Sequence, residues 1–238
     1  MPRPLSLRVR DQLLDAIRAG GFADGRLPPE SALAAQLGVS RTTVRAALQG
    51  LAADGLVTRR RRHGTVVNAH LLRASMPLNR LVSFRELIEQ CGHEASSDPP
   101  ETRREGAPEV AALALGVDVG APCVVVDRLL RAGGQPVIAI RDVVFVDRLR
   151  VAPDAVRAGD STFAFLASDG VARAAYATTE IVPLVADSGE PRGLRIRPGR
   201  AYVELRETLF SEDHERIAFS SVAVDDAMVR LSLLRREG

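Results

Sequence analysis

From residue 7 to 19 the apolar side chains Val9, Leu13, Ala16 and Ile17, with Leu14 beside them, fall on one helical face, and Gly20-Gly21 ends the pattern. "DGRLPPE" predicts a turn whose prolines suit the opening of a second helix. Ala32, Leu33, Ala35, Gln36 and Leu37 make that helix short, and Gly38 stops it. Ser40 can cap a third helix, in which Val44, Ala47, Leu48 and Leu51 repeat at helical spacing. Only "GVS" separates the last two helices, which is the spacing of a helix-turn-helix. After Asp54-Gly55, "LVTRRRRHGTVV" predicts two short strands around a loop.

The pattern lapses between Asn68 and Pro77, which reads as a linker, and residues 78–238 then repeat themselves. "LGVDVGAPCVVVDRLL" (115–130) stands 79 residues before "LRIRPGRAYVELRETL" (194–209). At the same offset "IAI" (138–140) meets "IAF" (217–219), and "SF" (83–84) meets "TF" (162–163). Each half carries a short helix, a variable strand, a glycine-marked turn and a hairpin. In the first half Phe84, Leu87, Ile88 and Cys91 share a helix face closed by Gly92, and strands near 122–131 and 137–146 flank "AGGQP". The second half has a helix near 162–168, a strand near 171–185 and a hairpin joining 201–210 to 216–224 through "SEDHE". Two such units predict one antiparallel sheet with helices packed on a face, an α+β domain, and the cleft between the halves is the default ligand site.

Composition sharpens this. At 238 residues and 46% hydrophobic content the chain is of the globular class, and no run approaches the roughly 20 apolar residues of a bilayer span. The first residues lack a signal-peptide core, and Cys91 and Cys123 fit no metal or disulfide spacing, so a reducing cytoplasm is the expected compartment. All 32 basic residues are arginine. The net charge of +2 conceals an asymmetry: residues 1–70 hold 11 arginines against 5 acids, whereas the rest hold 21 against 25. A basic module joined to a mildly acidic one points to a polyanion partner for the first.

If Val44, Leu48 and Leu51 face the core, Arg41, Thr42 and Arg45 lie outward near the start of the third helix. Arginine there can donate two hydrogen bonds to guanine O6 and N7, and threonine serves a phosphate or a thymine methyl. Arg59, Arg60, Arg61, Arg62, His63 and Gly64 would form a wing along the phosphates or in the minor groove. "GRLPPESALAAQLGVSRTTVRAALQGLAADGLVTRRRRHGTVV" resembles the winged helix-turn-helix of the GntR family of bacterial transcription regulators, over roughly residues 5–68. At matching positions the resemblance implies DNA contacts by Ser40, Arg41, Thr42, Thr43, Arg45, His63 and Gly64. Ser31 stands where members commonly have arginine.

The segments "LVSFRELIEQCG", "VVVDRLLRAGGQPVIAI" and "ELRETLFSEDHERIAFSSVAVDD" are similar to the effector-binding UTRA domain of the HutC subfamily, whose fold resembles chorismate lyase. The resemblance implies an effector site at Ser83, Phe84, Arg85, Arg128 and Thr178, with an anionic group on the helix start at Ser83-Phe84-Arg85. Arg128 is either that ligand's counter-charge or the partner of a surface acid. Leu130 replaces the second arginine of the family's Arg-x-Arg strand, and Ile140 and Ala218 stand where acidic residues are common. The expected ligand is therefore less polar than a hexose phosphate.

The expected architecture is a winged helix-turn-helix over 1–68, a linker over 69–77, and a UTRA-like effector and dimerisation domain over 78–238. The function implied is a homodimeric regulator, most often a repressor in this family, that binds a pseudo-palindromic double-stranded DNA operator and is released by a small-molecule effector. No cofactor, metal, catalytic group or membrane partner is expected. Two alternatives stay open, a chorismate-lyase-like enzyme with a DNA-binding appendage and a constitutive DNA-binding protein.

Overall fold

A computed structural model describes residues 4–22, 24–60, 64–68, 75–78, 81–187, 193–225 and 229–232. The chain divides into two compact units, Met1–Arg80 with Ser232–Gly238, and Leu81–Leu231.

In the first unit, α1 (Leu5–Arg18), α2 (Glu30–Leu37) and α3 (Arg41–Ala53) enclose one core. Val9, Leu13, Leu14 and Ile17 meet Leu33 and Ala34, and Val44, Ala47, Leu48 and Leu51, all buried. Helix α2 ends because Gly38 takes φ +63°, a conformation that lets the Val39 N–H return to Ala34 O at 3.0 Å. Ser40 then caps α3, its Oγ accepting from the Thr43 N–H at 3.0 Å. Arg10 of α1 crosses α3 at Gly50, where a Cβ would stand 3.0 Å from Arg10 Cδ. Arg10 is buried and donates Nε and Nη2 to Asp54 at 3.2 and 2.7 Å. One arginine of the basic module is therefore scaffold. Strands β2 (Val57–Arg60) and β3 (Gly64–Val67) form the expected hairpin, with pairs running from Val57↔Val67 to Arg60↔Gly64. A strand the pattern did not reveal, β1 (Arg26–Leu27), adds to β3, because two residues are too few to show alternation.

The second unit is built on one antiparallel sheet. Its elements are α4 (Phe84–Gln90), β5 (Ala95–Ser97), β6 (Glu101–Gly106), α5 (Glu109–Leu115), β7 (Pro122–Ala132), β8 (Gln135–Phe145), α6 (Thr162–Ser168), β9 (Tyr176–Val185), β10 (Ala201–Phe210) and β11 (Arg216–Val224). The order is β5-β7-β8-β11-β10-β9, with β6 also on β7. Two further short strands of the chain are β4 (Ser75–Pro77) and β12 (Arg230–Ser232).

Helices cover both faces of this sheet, not one. Phe165 and Leu166 of α6 pack on Val124, Val126 and Val144, while Ala111, Ala112 and Leu115 of α5 pack on Cys123, Val125, Val143 and Phe219. The reason is legible in the strands: the middle of β7 and β8 is buried at successive residues, so each face needs a cover. Helix α5, alanine-rich and ended by left-handed Gly116, was missed because alanines give a weak apolar stripe.

The internal repeat is real in three dimensions but slips along the chain. Val126 pairs with Asp142 in the first hairpin, and Leu205 with Val222 in the second. The offset of 79 thus holds from β7 to β10, whereas β8 maps to β11 with one residue more, inserted in the longer second turn. The counterpart of Ile138-Ala139-Ile140 is therefore Ala218-Phe219-Ser220, not "IAF". The β8–β11 ladder is symmetric about Arg141↔Ser221, which makes the sheet a pseudo-two-fold pair of halves. The capping serines Ser83 and Ser161 also correspond, rather than "SF" and "TF".

Candidate nucleic-acid interface and effector pocket

The polar face of α3 turns away from the core. Arg41, Thr42 and Arg45 are exposed, Thr43 is half-buried, and Ser31 at the start of α2 is exposed. The hydroxyls of Ser40 and Thr43 lie 2.8 Å apart and are engaged in the cap. Arg45 is held by Glu30, the first residue of α2, with Nε and Nη2 donating to one carboxylate oxygen at 3.1 and 2.9 Å. Arg59 of β2 donates to the other oxygen of the same carboxylate. The hydrogen bond from Arg45, aided by the charges of Arg45, Arg59 and Arg41 against the cost of burial, holds the Glu30 carboxyl below the usual range. Gly64 closes the wing at φ +77°. The side chain of Arg60, and Arg61, Arg62 and His63, lie outside the described residues. Glu30 was not among the expected site residues; its sign was wrong for a phosphate contact, although its place at the start of α2 sets it beside Arg45 of α3.

In the second unit the N-terminal ends of α4 and α6 converge on a small pocket. It is lined by Ser83, Phe84, Arg85, Leu130, Ile140, Asp160, Ser161, Thr162, Phe163, Glu207 and Leu209. Ser83 and Ser161 each accept the N–H three residues ahead, at 3.2 and 3.1 Å. The cavity is about 10 Å³, room for about one water, so a ligand must widen it. Ser83, Phe84 and Arg85 all line this cavity, and Arg85 also donates to Ala95 O at 2.8 Å and Ser97 Oγ at 3.2 Å. Burial pushes the Glu207 carboxyl up to about 7, the nearby Asp142 adding to the shift and the hydrogen bond from Thr179 opposing it.

Two expected members stand elsewhere. Thr178 lines a groove of about 310 Å³ with Glu109, Leu113, Arg206 and Phe219, on the face covered by α5. Strand alternation accounts for this: its neighbour Thr179 faces the pocket side and donates to Glu207 at 3.1 Å. Arg128 lies behind the pocket wall. It is buried against Asp142, which also accepts from Thr162 and Ser220, and it donates to the carbonyls of Ala158 and Gly159. The carboxylate it meets is buried rather than at the surface, and the loop it holds leads directly into Asp160 and Ser161 of the pocket.

Among the described residues no cluster of His, Cys, Asp and Glu could hold a metal ion, and no helix is long and apolar enough to cross a membrane. Burial pushes the Cys123 thiol up to about 11, away from nucleophilic use.

A three-helix unit with a two-stranded wing, joined to an antiparallel sheet with helices on both faces, is the architecture of a two-domain winged-helix regulator. Residues 5–67 match the model of the bacterial regulatory proteins of the gntR family, and residues 90–224 match the UTRA domain. The chain belongs to the GntR family and is a DNA-binding transcriptional regulator of its HutC type, with a UTRA domain. It is 32% identical over 199 residues to the uncharacterised HTH-type transcriptional regulator RB1450 of Rhizobium meliloti, covering 83% of this chain and 81% of that protein. It is 41% identical over 68 residues to the histidine utilization repressor of Pseudomonas aeruginosa, 28% of this chain and 27% of that one. The crystal structure of PhnF from Mycobacterium smegmatis superposes with a TM-score of 0.59 at 27% identity, covering 97% of this chain and 100% of that chain.

Proposed function

We propose that the protein is a cytoplasmic, homodimeric repressor that binds a pseudo-palindromic operator and leaves it when a small molecule enters the α4–α6 pocket. The observation that carries the DNA half is the outward display of Arg41, Thr42 and Arg45 on a helix whose opposite face is wholly buried. Those side chains read bases, with Ser40 and Thr43 ordering the helix start and the wing residues Arg60, Arg61, Arg62, His63 and Gly64 following the backbone. Supporting the effector half is the meeting of two serine-capped helix starts over an apolar floor of Leu130, Ile140 and Leu209. The ligand is compact and largely apolar, its one anionic group at Ser83-Phe84-Arg85 and away from Glu207. Arg128 orders the pocket wall without touching the ligand. Residues 69–77 link the reader to the sensor.

The test is enrichment of duplexes from a randomised library by the full chain, followed by affinity against salt. The enriched site should be an inverted repeat, and log affinity should fall with log salt by about 0.9 per phosphate neutralised. A salt-independent affinity, or an enriched site without two-fold symmetry, would overturn the reading. Coupling to effector is about 1–3 kcal/mol and reciprocal, so a compound that weakens DNA binding is itself weakened equally by DNA.

A further inference from the structure

Arginine offers a carboxylate or a base two distinct edges, one through Nε and Nη2 and the other through Nη1 and Nη2. In Arg45 the first is taken: both Nε and Nη2 donate to a single oxygen of Glu30. Nη1 makes no hydrogen bond among the described residues, and the Arg45 side chain remains 54% exposed. Glu30 is itself secured, since its other oxygen accepts from Arg59 of the wing strand and its side chain is only 20% exposed. One carboxylate thus ties α2, the recognition helix α3 and the wing strand β2 together.

We infer that Glu30 is a positioning residue for sequence readout: it fixes the Arg45 guanidinium so that only the Nη1/Nη2 edge is offered to a guanine. The inference rests on the reading that Arg45 contacts a base. A free arginine on an exposed helix samples many rotamers and satisfies itself on any phosphate. An arginine whose inner edge is occupied has one orientation to present, and guanine O6 and N7 are the pair of acceptors that match it. The carboxylate also subtracts charge from the interface, so it suppresses attachment to sequences that offer only phosphates. Removing it should make binding stronger in general and less selective, opposite to the loss on deleting a simple contact.

The experiment compares two duplexes with full-length protein: the one enriched by the wild type and a scrambled duplex of equal length and composition. For Glu30→Gln, discrimination between them should fall about tenfold, with the scrambled duplex bound as tightly as by the wild type or more tightly. Its salt dependence should steepen by about 0.9 per protomer, about 1.8 for the dimer, as each released guanidinium finds another phosphate. A second enrichment with Glu30→Ala should return a site with relaxed preference at the Arg45 position only. Equal changes on both duplexes, in either direction, would overturn the inference and leave Glu30 as bulk charge or scaffold. Arg45→Ala separates the layers. If it keeps full discrimination, the base contact itself is refuted; if it loses discrimination while Glu30→Gln keeps it, only the role of Glu30 is refuted.

Discussion

Arg45 and Arg128 both sit against a carboxylate, yet they occupy opposite situations. The Arg45 side chain is half in solvent with one guanidinium edge unspent, whereas that of Arg128 is 2% exposed and spends its donors on Asp142 and two carbonyls. Along the chain the two look alike, an arginine in a promising motif. Only the fold tells whether the ion pair leaves something over for a ligand. An exposed pair with a free edge is a site under tension between partners; a buried pair in which each guanidinium nitrogen has a protein acceptor is framework.

The sharpest test of that contrast is Arg128→Ala. It would strand the Asp142 carboxylate in the core with only Thr162 and Ser220 as donors, and should cost about 3–5 kcal/mol in denaturant unfolding. Arg45→Ala, at the surface, should cost less than about 0.5 kcal/mol of stability while removing about 1–3 kcal/mol of operator affinity. If Arg128→Ala folds with wild-type stability and loses only effector response, Arg128 belongs to the ligand after all.

The two units are not equally legible in the sequence. The first unit could be read nearly whole, because its stops are local: Gly38 ends α2, Ser40 starts α3, and the stripe from Val44 to Leu51 selects the buried face. The second could be read only as elements. The hairpins β7–β8 and β10–β11 show in the sequence, but the one-residue slip between the halves shows only in the ladders, and a single residue exchanges faces. Alternation along β9 likewise sends Thr178 to the α5 side and brings Thr179 toward the pocket, opposite Glu207. Arg128 was misplaced for a different reason. Its partner Asp142 lies on the neighbouring strand, two residues beyond the cross-strand partner Ile140, a distance no local pattern reports. Glu30 was missed because acids are not sought in a basic interface.

Glu207 gives an intermediate effect with a definite sign. Its folded pKa of about 7 lies above the ordinary 4.5, so the group favours folding most below about pH 4.5. That contribution is lost as pH rises towards about 7 and is gone above it. Facing the carboxyl are Asp142 and Thr179, with Arg85 and Asp160 along the same pocket. Glu207→Gln should therefore be more stable than the wild type at about pH 8 by about 1–3 kcal/mol, and close to it at about pH 4.5. Parallel stability profiles for the two proteins would show that Glu207 is solvated. The carboxyl would then resemble Arg45 in its situation rather than Arg128.

The smallest effect concerns Ser40, whose hydroxyl caps α3 and would also serve a DNA contact if the family resemblance holds at this position. Its Oγ accepts the Thr43 N–H at 3.0 Å and lies 2.8 Å from Thr43 Oγ1, so in the free protein the hydroxyl is already in use. Ser40→Ala should cost about 1 kcal/mol of stability in the first unit, the ordinary value of an N-cap. It should also weaken DNA binding slightly and evenly over all sequences, by loosening the start of α3. Ser40→Asp separates the two roles. Aspartate caps as well as serine and suits the positive end of the helix, so stability should return. A new negative charge facing phosphates should nevertheless depress DNA affinity well below that of Ser40→Ala. If the aspartate variant binds DNA as tightly as the alanine one, Ser40 stands away from the backbone. The recognition helix would then engage DNA through Arg41, Thr42 and Arg45, without its cap.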